Sequence, residues 1–263
     1  MEIAFSISHW ICMQNDFDYS TLERTAHRPW PMPDEPWLMT QTWHDLAFAH
    51  WPVDQTVLRE ALPAGLELDV FEGQAWIGVV PFHMTNVAPR GVPALPFVSA
   101  FPELNVRTYV VAGDKPGVYF FSLDAGNPVA VGFARSLLHL PYHSAVMSVE
   151  ERDGWYHYRS RRLSDASGGG ADFEARYRPT GPVFEPAAGS LEHFLTERYR
   201  LYTVDPRHAL RHLDIHHGPW PLQEAEIVLD VNTMVEPTGV RLPDMAPMVH
   251  FAKRQDVVAW RMK

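Results

Sequence analysis

Lysine is nearly missing from this chain. Of 22 lysines and arginines, only Lys115, Lys253 and Lys263 are lysine, so chemistry that needs a primary amine has three candidates. Cysteine occurs once, as Cys12, which excludes an intramolecular disulfide and a thiolate metal cluster. Positive charge is in deficit: a formal net charge of −10 at pH 7 argues against nucleic acid and against an anionic membrane surface as partners. No apolar run approaches the length that spans a bilayer. The start MEIAFSISHWICMQNDFDYS has no basic region ahead of an apolar one, so it does not read as a signal peptide. A cytoplasmic protein is the expectation. P-loop, nucleophile-elbow and dinucleotide patterns are also lacking. Gly168-Gly169-Gly170 sits in a polar stretch without the strand and helix that a phosphate cradle requires.

What is present is a chain of 263 residues, 46% hydrophobic and 21% charged, ample for one large core. A segment of residues 1–27 reads as an N-terminal extension and residues 28–263 as a single domain. The prolines of RPWPMPDEPW, 28–37, deny a regular ladder or helix and suggest an extended strap held by Trp30 and Trp37. Strand signals dominate beyond it. LELDVFEGQAWIGVVPFHM reads as two strands around Glu72-Gly73-Gln74, and ELNVRTYVVAGDKPGVYFFSLD as a hairpin turning at Gly113 to Gly117. WYHYRSRRL and FEARYRP form another pair, joined by a flexible loop at Ser164 to Asp172. HFAKRQDVVAW suggests a last hairpin around Lys253 to Asp256. Helices are expected after Asp54, over about Val129 to Leu138, and after Ser190 through LEHFLTERYRLY. Many hairpins with a few inserted helices mean an α+β fold, mostly antiparallel, built as a large curved sheet or barrel-like.

Several segments could carry chemistry. If FPELNVRTYVV is a strand, Glu103, Asn105, Arg107 and Tyr109 line one face. Such a row either orients a small carboxylate or carbonyl ligand or is a solvent-facing strand with a cross-strand ion pair. In ARSLLHLPYHSAVMSV, Pro141 ends a helix and Tyr142 and His143 begin a strand, so at most one of the two enters a given cavity. Tyr142 could donate to a ligand oxygen and His143 could titrate near neutrality, or the pair is a turn. In QTWHDLAFAHW, strand alternation puts Trp43, Asp45, Ala47 and Ala49 on one face and His44, Leu46, Phe48 and His50 on the other. His212, His216 and His217 in RHLDIHHGPW lack an accompanying metal-binding pattern, and no metal or cofactor is expected. The tryptophans, Trp220 of GPWPL among them, leave room for a homo-oligomer interface.

QTWHDLAFAHWPV, LREALPAGLELDVFEGQAWIGVVPF, FPELNVRTYVV, FSLDAG, PYHSA, LTERYRLY and HHGPWPL together resemble the YqjF-like proteins, the DUF2071 family, over residues 28 to 262. The resemblance implies the acetoacetate decarboxylase-like fold, a curved antiparallel sheet around a small-molecule cavity. Acetoacetate decarboxylases carry a Gly-Arg-Glu helix ending in a proline and two lysines, the first of which forms an imine with the substrate ketone. ARSLLHLPYHSA is similar to that stretch, with Arg135 at the helix arginine, Pro141 at the proline, and Tyr142 and His143 where the lysines stand. Neither side chain can form an imine, so Schiff-base decarboxylation is not expected. Glu103 resembles the decarboxylases' pocket glutamate, and His44 falls near their substrate-binding arginine. The resemblance therefore implies a protein that binds a small organic molecule: Glu103, Tyr142 and His143 are the candidates for acid–base work, and Arg107, His44 and Arg135 the candidates for ligand contact. A lyase, hydratase or isomerase without an imine, or an interaction protein, are the other readings.

Overall fold

In this computed structural model, which describes residues 16–95, 98–163 and 170–263, about half of the chain is strand and three α-helices interrupt it. Two strands are fifteen residues long, β1 (Met39–Val53) and β3 (Ala75–Pro89). Their centres, LAFAHW and AWIGVVPF, are continuously buried rather than alternating, the mark of a sheet covered on both faces. The two-residue β2 (Glu67–Leu68) pairs with β4 (Phe101–Ala112), which pairs in turn with β3 and with β5 (Lys115–Ala125).

From this shared wall the sheet closes on itself by two routes. At its C-terminal end β5 pairs in parallel with β6 (Tyr142–Arg152), which continues through β7 (Trp155–Arg162), β8 (Asp172–Pro179) and β11 (Leu222–Asn232) to β12 (Met248–Ala259). Near its middle β5 pairs in parallel with β9 (Arg200–Val204), which leads through β10 (Leu210–His217) to the far end of the same β12. Because β12 pairs along its length with β1, both circuits are closed and the sheet is ring-like. Closure removes the exposed edges that long apolar strands would otherwise offer. One circuit encloses Ala47, Trp51, Leu104, Val106, Tyr158, Phe173 and Phe251. The other face of β1, β3 and β4 packs Phe48, Phe82, Tyr109 and Trp220 beneath β9 and β10 and the helices.

The helices begin where caps demand. Asp54 accepts from Thr56 N at 2.7 Å ahead of α1 (Gln55–Glu60). Asn127 accepts from Val129 N and Ala130 N at 3.0 and 3.2 Å ahead of α2 (Pro128–Leu138), and Ser190 caps α3 (Leu191–Thr196). α2 ends with His139 in the left-handed region, φ 49°, and Leu140-Pro141 then feeds β6. None of the described helices is long and apolar enough to cross a membrane.

Four expectations need correction. Helix propensity in LEHFLTERYRLY ends at Thr196, and Arg200–Val204 becomes β9 because both of its edges are taken by strands. HFAKRQDVVAW is no hairpin but the middle of β12, held straight by β1 on one side and β10 and β11 on the other. The turn at Glu72-Gly73, with φ of 48° and 78°, closes Phe71 on Gln74, yet β2 pairs with β4 instead of β3. Asp45 lies at φ 52° and inserts one residue into β1 against β3. The alternation flips there. Trp43 therefore joins Leu46 and Phe48, and His44 leaves that face. Of the expected 164–172 loop, residues 164–169 lie outside the described residues. Residues from Asp16 to Leu38 lie along the domain, with Phe17 packed on Val258 and Trp260 and Trp30 near the Tyr199 ring.

Candidate functional site

Strand geometry assembles a polar group within the apolar face beneath α3. Glu103, Asn105, Arg107 and Tyr109 alternate along β4 toward it, all buried. On β3, Phe82 stands opposite Glu103 and Gly78 opposite Arg107. A Cβ at Gly78 would lie 2.9 Å from His50 Cδ2 and 3.5 Å from Arg107 Cγ. Glycine is thus needed to let the His50 ring and the Arg107 stem meet. Across β5, Leu123 pairs with Tyr142 in parallel register, which aims the Tyr142 ring at Glu103.

Tyr142 donates to Glu103 Oε2 at 2.7 Å. Glu103 is 3% exposed, and burial pushes its carboxyl up to about 8 against the smaller opposing effect of the Tyr142 hydrogen bond, with Asp124 adding to the rise. The Tyr142 phenol is held well above its ordinary value, first by burial and then by Glu103. At neutral pH this is a protonated carboxylic acid beside a neutral phenol.

Arg107 has a different environment. Its Nη2 donates to Leu195 O at 2.9 Å and lies 3.4 Å from the Tyr109 hydroxyl, while its guanidinium carbon sits 5.2 Å from the Phe48 ring centroid. Among the described residues no carboxylate lies within ion-pair distance of it. Tyr109 Oη also meets His50 Nε2 at 2.6 Å and Leu195 O at 2.8 Å. Burial, followed by the nearby Arg107 charge, holds His50 well below its ordinary value. His50 Nδ1, Asn105 Oδ1, Arg107 Nε, Trp220 Nε1 and His250 Nδ1 are buried without a hydrogen-bond partner. Five such atoms on one patch of sheet are uncommon, since nearly all buried polar groups are satisfied. Phe48 and Trp220, 4.8 Å apart edge to face, Phe82 and Trp43 form the apolar wall beside them.

The other candidates go elsewhere. His143, one residue on, points to the opposite face and lines a cavity there with Arg162 and Ser122. The Arg135 guanidinium donates from α2 to the carbonyl of Tyr142, fixing the strand start rather than facing Glu103. His44 stacks on His83, centroids 4.8 Å apart, and meets Thr85 Oγ1 at 2.7 Å; the flip at Asp45 carried it away from Glu103. Each histidine of RHLDIHHGPW occupies β10, and His216 and His217 spend their nitrogens on Thr21 O, Arg28 and Gly218 O. Trp220 is buried in its own chain and is not available to an interface. His50 and His250 were not singled out as site residues from the sequence. A histidine in an apolar strand reads as core, and only the glycine across from it on β3 would have hinted at a close approach.

All three lysines are committed away from Glu103. Lys253 Nζ donates to Asp45 Oδ1 at 2.7 Å and to Tyr156 Oη at 2.8 Å. Partial burial acts to lower its affinity for the proton, but these two bonds raise it well above the ordinary lysine value. Lys263 pairs with Glu35 at 2.6 Å, and Lys115 lies over the Trp30 ring.

Residues 40–256 match the family model DUF2071, described as an uncharacterized conserved protein. The chain is 48% identical over 241 residues to the uncharacterized protein YqjF of Bacillus subtilis (strain 168), covering 92% of this chain and 98% of that one. Among solved structures it is similar to acetoacetate decarboxylase from Legionella pneumophila, with a TM-score of 0.58, 12% identity, and 95% and 96% of the two chains covered. The enduracididine biosynthesis enzyme MppR complexed with pyruvate aligns with a TM-score of 0.57 at 10% identity over 90% and 92% of the chains. An acetoacetate decarboxylase-like enzyme from Sphingomonas wittichii RW1 aligns with a TM-score of 0.52 at 14% identity over 90% and 98%. At these identities the structural likeness concerns the fold.

Proposed function

The chain belongs to the DUF2071 family, and from the groups buried beneath Tyr142 we propose that it binds a small organic acid there, with Glu103 as proton donor to the bound molecule. The observation that carries this reading is Arg107, a residue 8% exposed with no carboxylate within ion-pair distance among the described residues. A buried charge without its counter-ion costs several kcal/mol, roughly 3–5 when a partner is removed. A bound carboxylate would supply the missing charge and engage the unpartnered Nε.

Glu103 does not fill that role. It lies four residues along the same strand, about 13 Å at 3.3 Å per residue, and it is neutral near pH 7. A neutral carboxylic acid keeps one O–H to donate while still accepting from Tyr142. The acid end therefore suits a carbonyl or leaving oxygen of a molecule whose carboxylate rests on Arg107, its apolar part lying along Phe48, Phe82 and Trp220. Such a group supports proton transfer without an imine. The commitments of Lys115, Lys253 and Lys263 support the same reading. Pyruvate, bound in MppR, has the carboxylate that the Arg107 end requires and is a suitable probe of that end.

Thermal unfolding at pH 6.5 with pyruvate, acetoacetate and benzoate tests the proposal. An acid at 100 times its dissociation constant stabilises the native state by about 2.7 kcal/mol. The shift is expected in the wild-type protein and lost in Arg107→Met, which itself folds at least as stably because an uncompensated charge is gone. No shift in the wild type, or an equal shift in Arg107→Met, would overturn it.

A further inference from the structure

Behind the Glu103 site, on the opposite face of β5 and β6, a cavity of about 300 Å³ opens beside Arg162. That volume is at the lower end of small-molecule pockets, roughly 300–1,000 Å³. We propose that this cavity is a second ligand site, one that takes a small molecule with an acceptor oxygen at one end and a planar apolar body.

The polar end is a built structure. Arg162 and Asp124 are almost fully buried, with side-chain exposures of 3% and 0%. Arg162 donates Nε to Asp124 Oδ1 at 2.9 Å and Nη2 to Ser122 Oγ at 2.8 Å. These bonds, with the Nη2–Asp124 contact at 2.8 Å, leave Nη1 without a partner among the described residues, on a side chain that lines the cavity. An acceptor oxygen suits a guanidinium N–H on a side chain that lines a cavity. Ser122 and His143 stand at the same end. Phe121, Met234 and Pro237 supply the apolar wall, and Thr238 completes the lining. The buried ion pair is already neutral, so the site has no demand for a charged ligand, and a carbonyl serves as well as a carboxylate.

The site does not depend on the reading of Glu103 and Arg107. Tyr142 and His143 are consecutive residues of β6 and serve opposite faces. Met84 packs against Phe82 and Phe101 on the Glu103 side, whereas Met234 lines the cavity beside Arg162. The two methionine methyl groups therefore report the two sites separately.

The test is a titration of ¹³C-methyl-methionine-labelled protein with benzoate and, separately, benzamide. The two signals are assigned through Met84→Leu and Met234→Leu. The Met234 signal is expected to move saturably with one or both probes; movement with benzamide identifies a neutral carbonyl as sufficient. Thr238→Phe, which fills the cavity without touching the ion pair, is expected to weaken that response at least tenfold, and Phe121→Trp to do the same from another wall. A Met234 signal that stays still with both probes, or moves equally in both filled variants, overturns the proposal. A Met84 signal that stays still with benzoate while Met234 moves would count against the Glu103 site and leave this one standing.

Discussion

Replacing Glu103 with glutamine removes one ionisable group and almost nothing else. The amide keeps the volume and still accepts from Tyr142. In the native protein the carboxyl binds its proton up to about pH 8, whereas in the unfolded chain it loses the proton near the ordinary glutamate value of about 4.3. Between these limits the native state holds more protons, so the group's contribution to stability is full below the unfolded value and is lost as pH rises through 8. At about 1.36 kcal/mol per pH unit the whole effect is roughly 5 kcal/mol, of which about 2 kcal/mol falls between pH 6.5 and pH 9. Urea unfolding followed by tryptophan fluorescence at those two pH values measures it. The wild-type protein should lose about 2 kcal/mol relative to Glu103→Gln, a relative midpoint shift of roughly 0.7 M if m is near 3 kcal/mol/M. The buried histidines, held below their ordinary value by burial, are common to both proteins and cancel in the difference. Parallel stability profiles would refute the reasoning, because they would mean that Glu103 is solvated and ionised like any surface carboxylate.

Incubation with pyruvate and cyanoborohydride should leave the intact mass unchanged at neutral pH, because no lysine amine stands near Glu103 and Lys253 is held protonated by Asp45 and Tyr156; a lysine adduct located at the Glu103 site would reverse the non-imine reading. His216 accepts from Arg28 Nη1 at 3.1 Å and donates to Thr21 O at 2.8 Å, and burial holds it at about 4. With a lowered native value its contribution is present above about 6.5 and is lost as pH falls toward 4, at most about 3 kcal/mol. Proteolysis within residues 16–38 should therefore accelerate over that window, and more slowly in His216→Gln; equal rates in both proteins would place the acid-sensitive contact elsewhere.

The sequence carried the wall of the site well and its depth poorly. The alternation in FPELNVRTY placed Glu103, Arg107 and Tyr109 on one face, and Pro-Tyr-His was rightly divided between two faces, because both depend on the two-residue period of a strand. His44 was misplaced by one backbone angle. Asp45 in the left-handed region inserts a residue into β1, and nothing in WHDLAF announces it, since aspartate adopts that region only occasionally. His50 and His250 escaped for another reason. Each lies in an apolar strand, and what marks them is a ring Nδ1 without a hydrogen-bond partner, which belongs to the folded neighbourhood. Lys253 reads from HFAKRQDVVAW as part of a hairpin turn. In the fold its pairing is set by β1, more than 200 residues earlier in the chain.

The energetics of β4 argue that its polar row is not kept for stability. Glu103 and Arg107 point to the same face, yet about 13 Å of strand separates them, too far for either to neutralise the other. One is discharged by its surroundings and the other is left charged without a carboxylate. Apolar residues of similar volume in place of buried charged groups are often neutral or stabilising, and Leu104, Val106 and Thr108 on the reverse face pack without such conflict. A paired structural device would bring acid and base together, as Asp124 and Arg162 do at 2.8 Å just across the sheet. Keeping a neutral acid and a bare cation apart, with unpartnered atoms on His50, Asn105 and Trp220 around them, instead suits a molecule long enough to touch both. If that inference holds, Arg107→Met and Glu103→Gln should each stabilise the empty protein at pH 9, and each should weaken its hold on an acid. A variant that stabilised the protein and left binding intact would show that the row is a fault in packing.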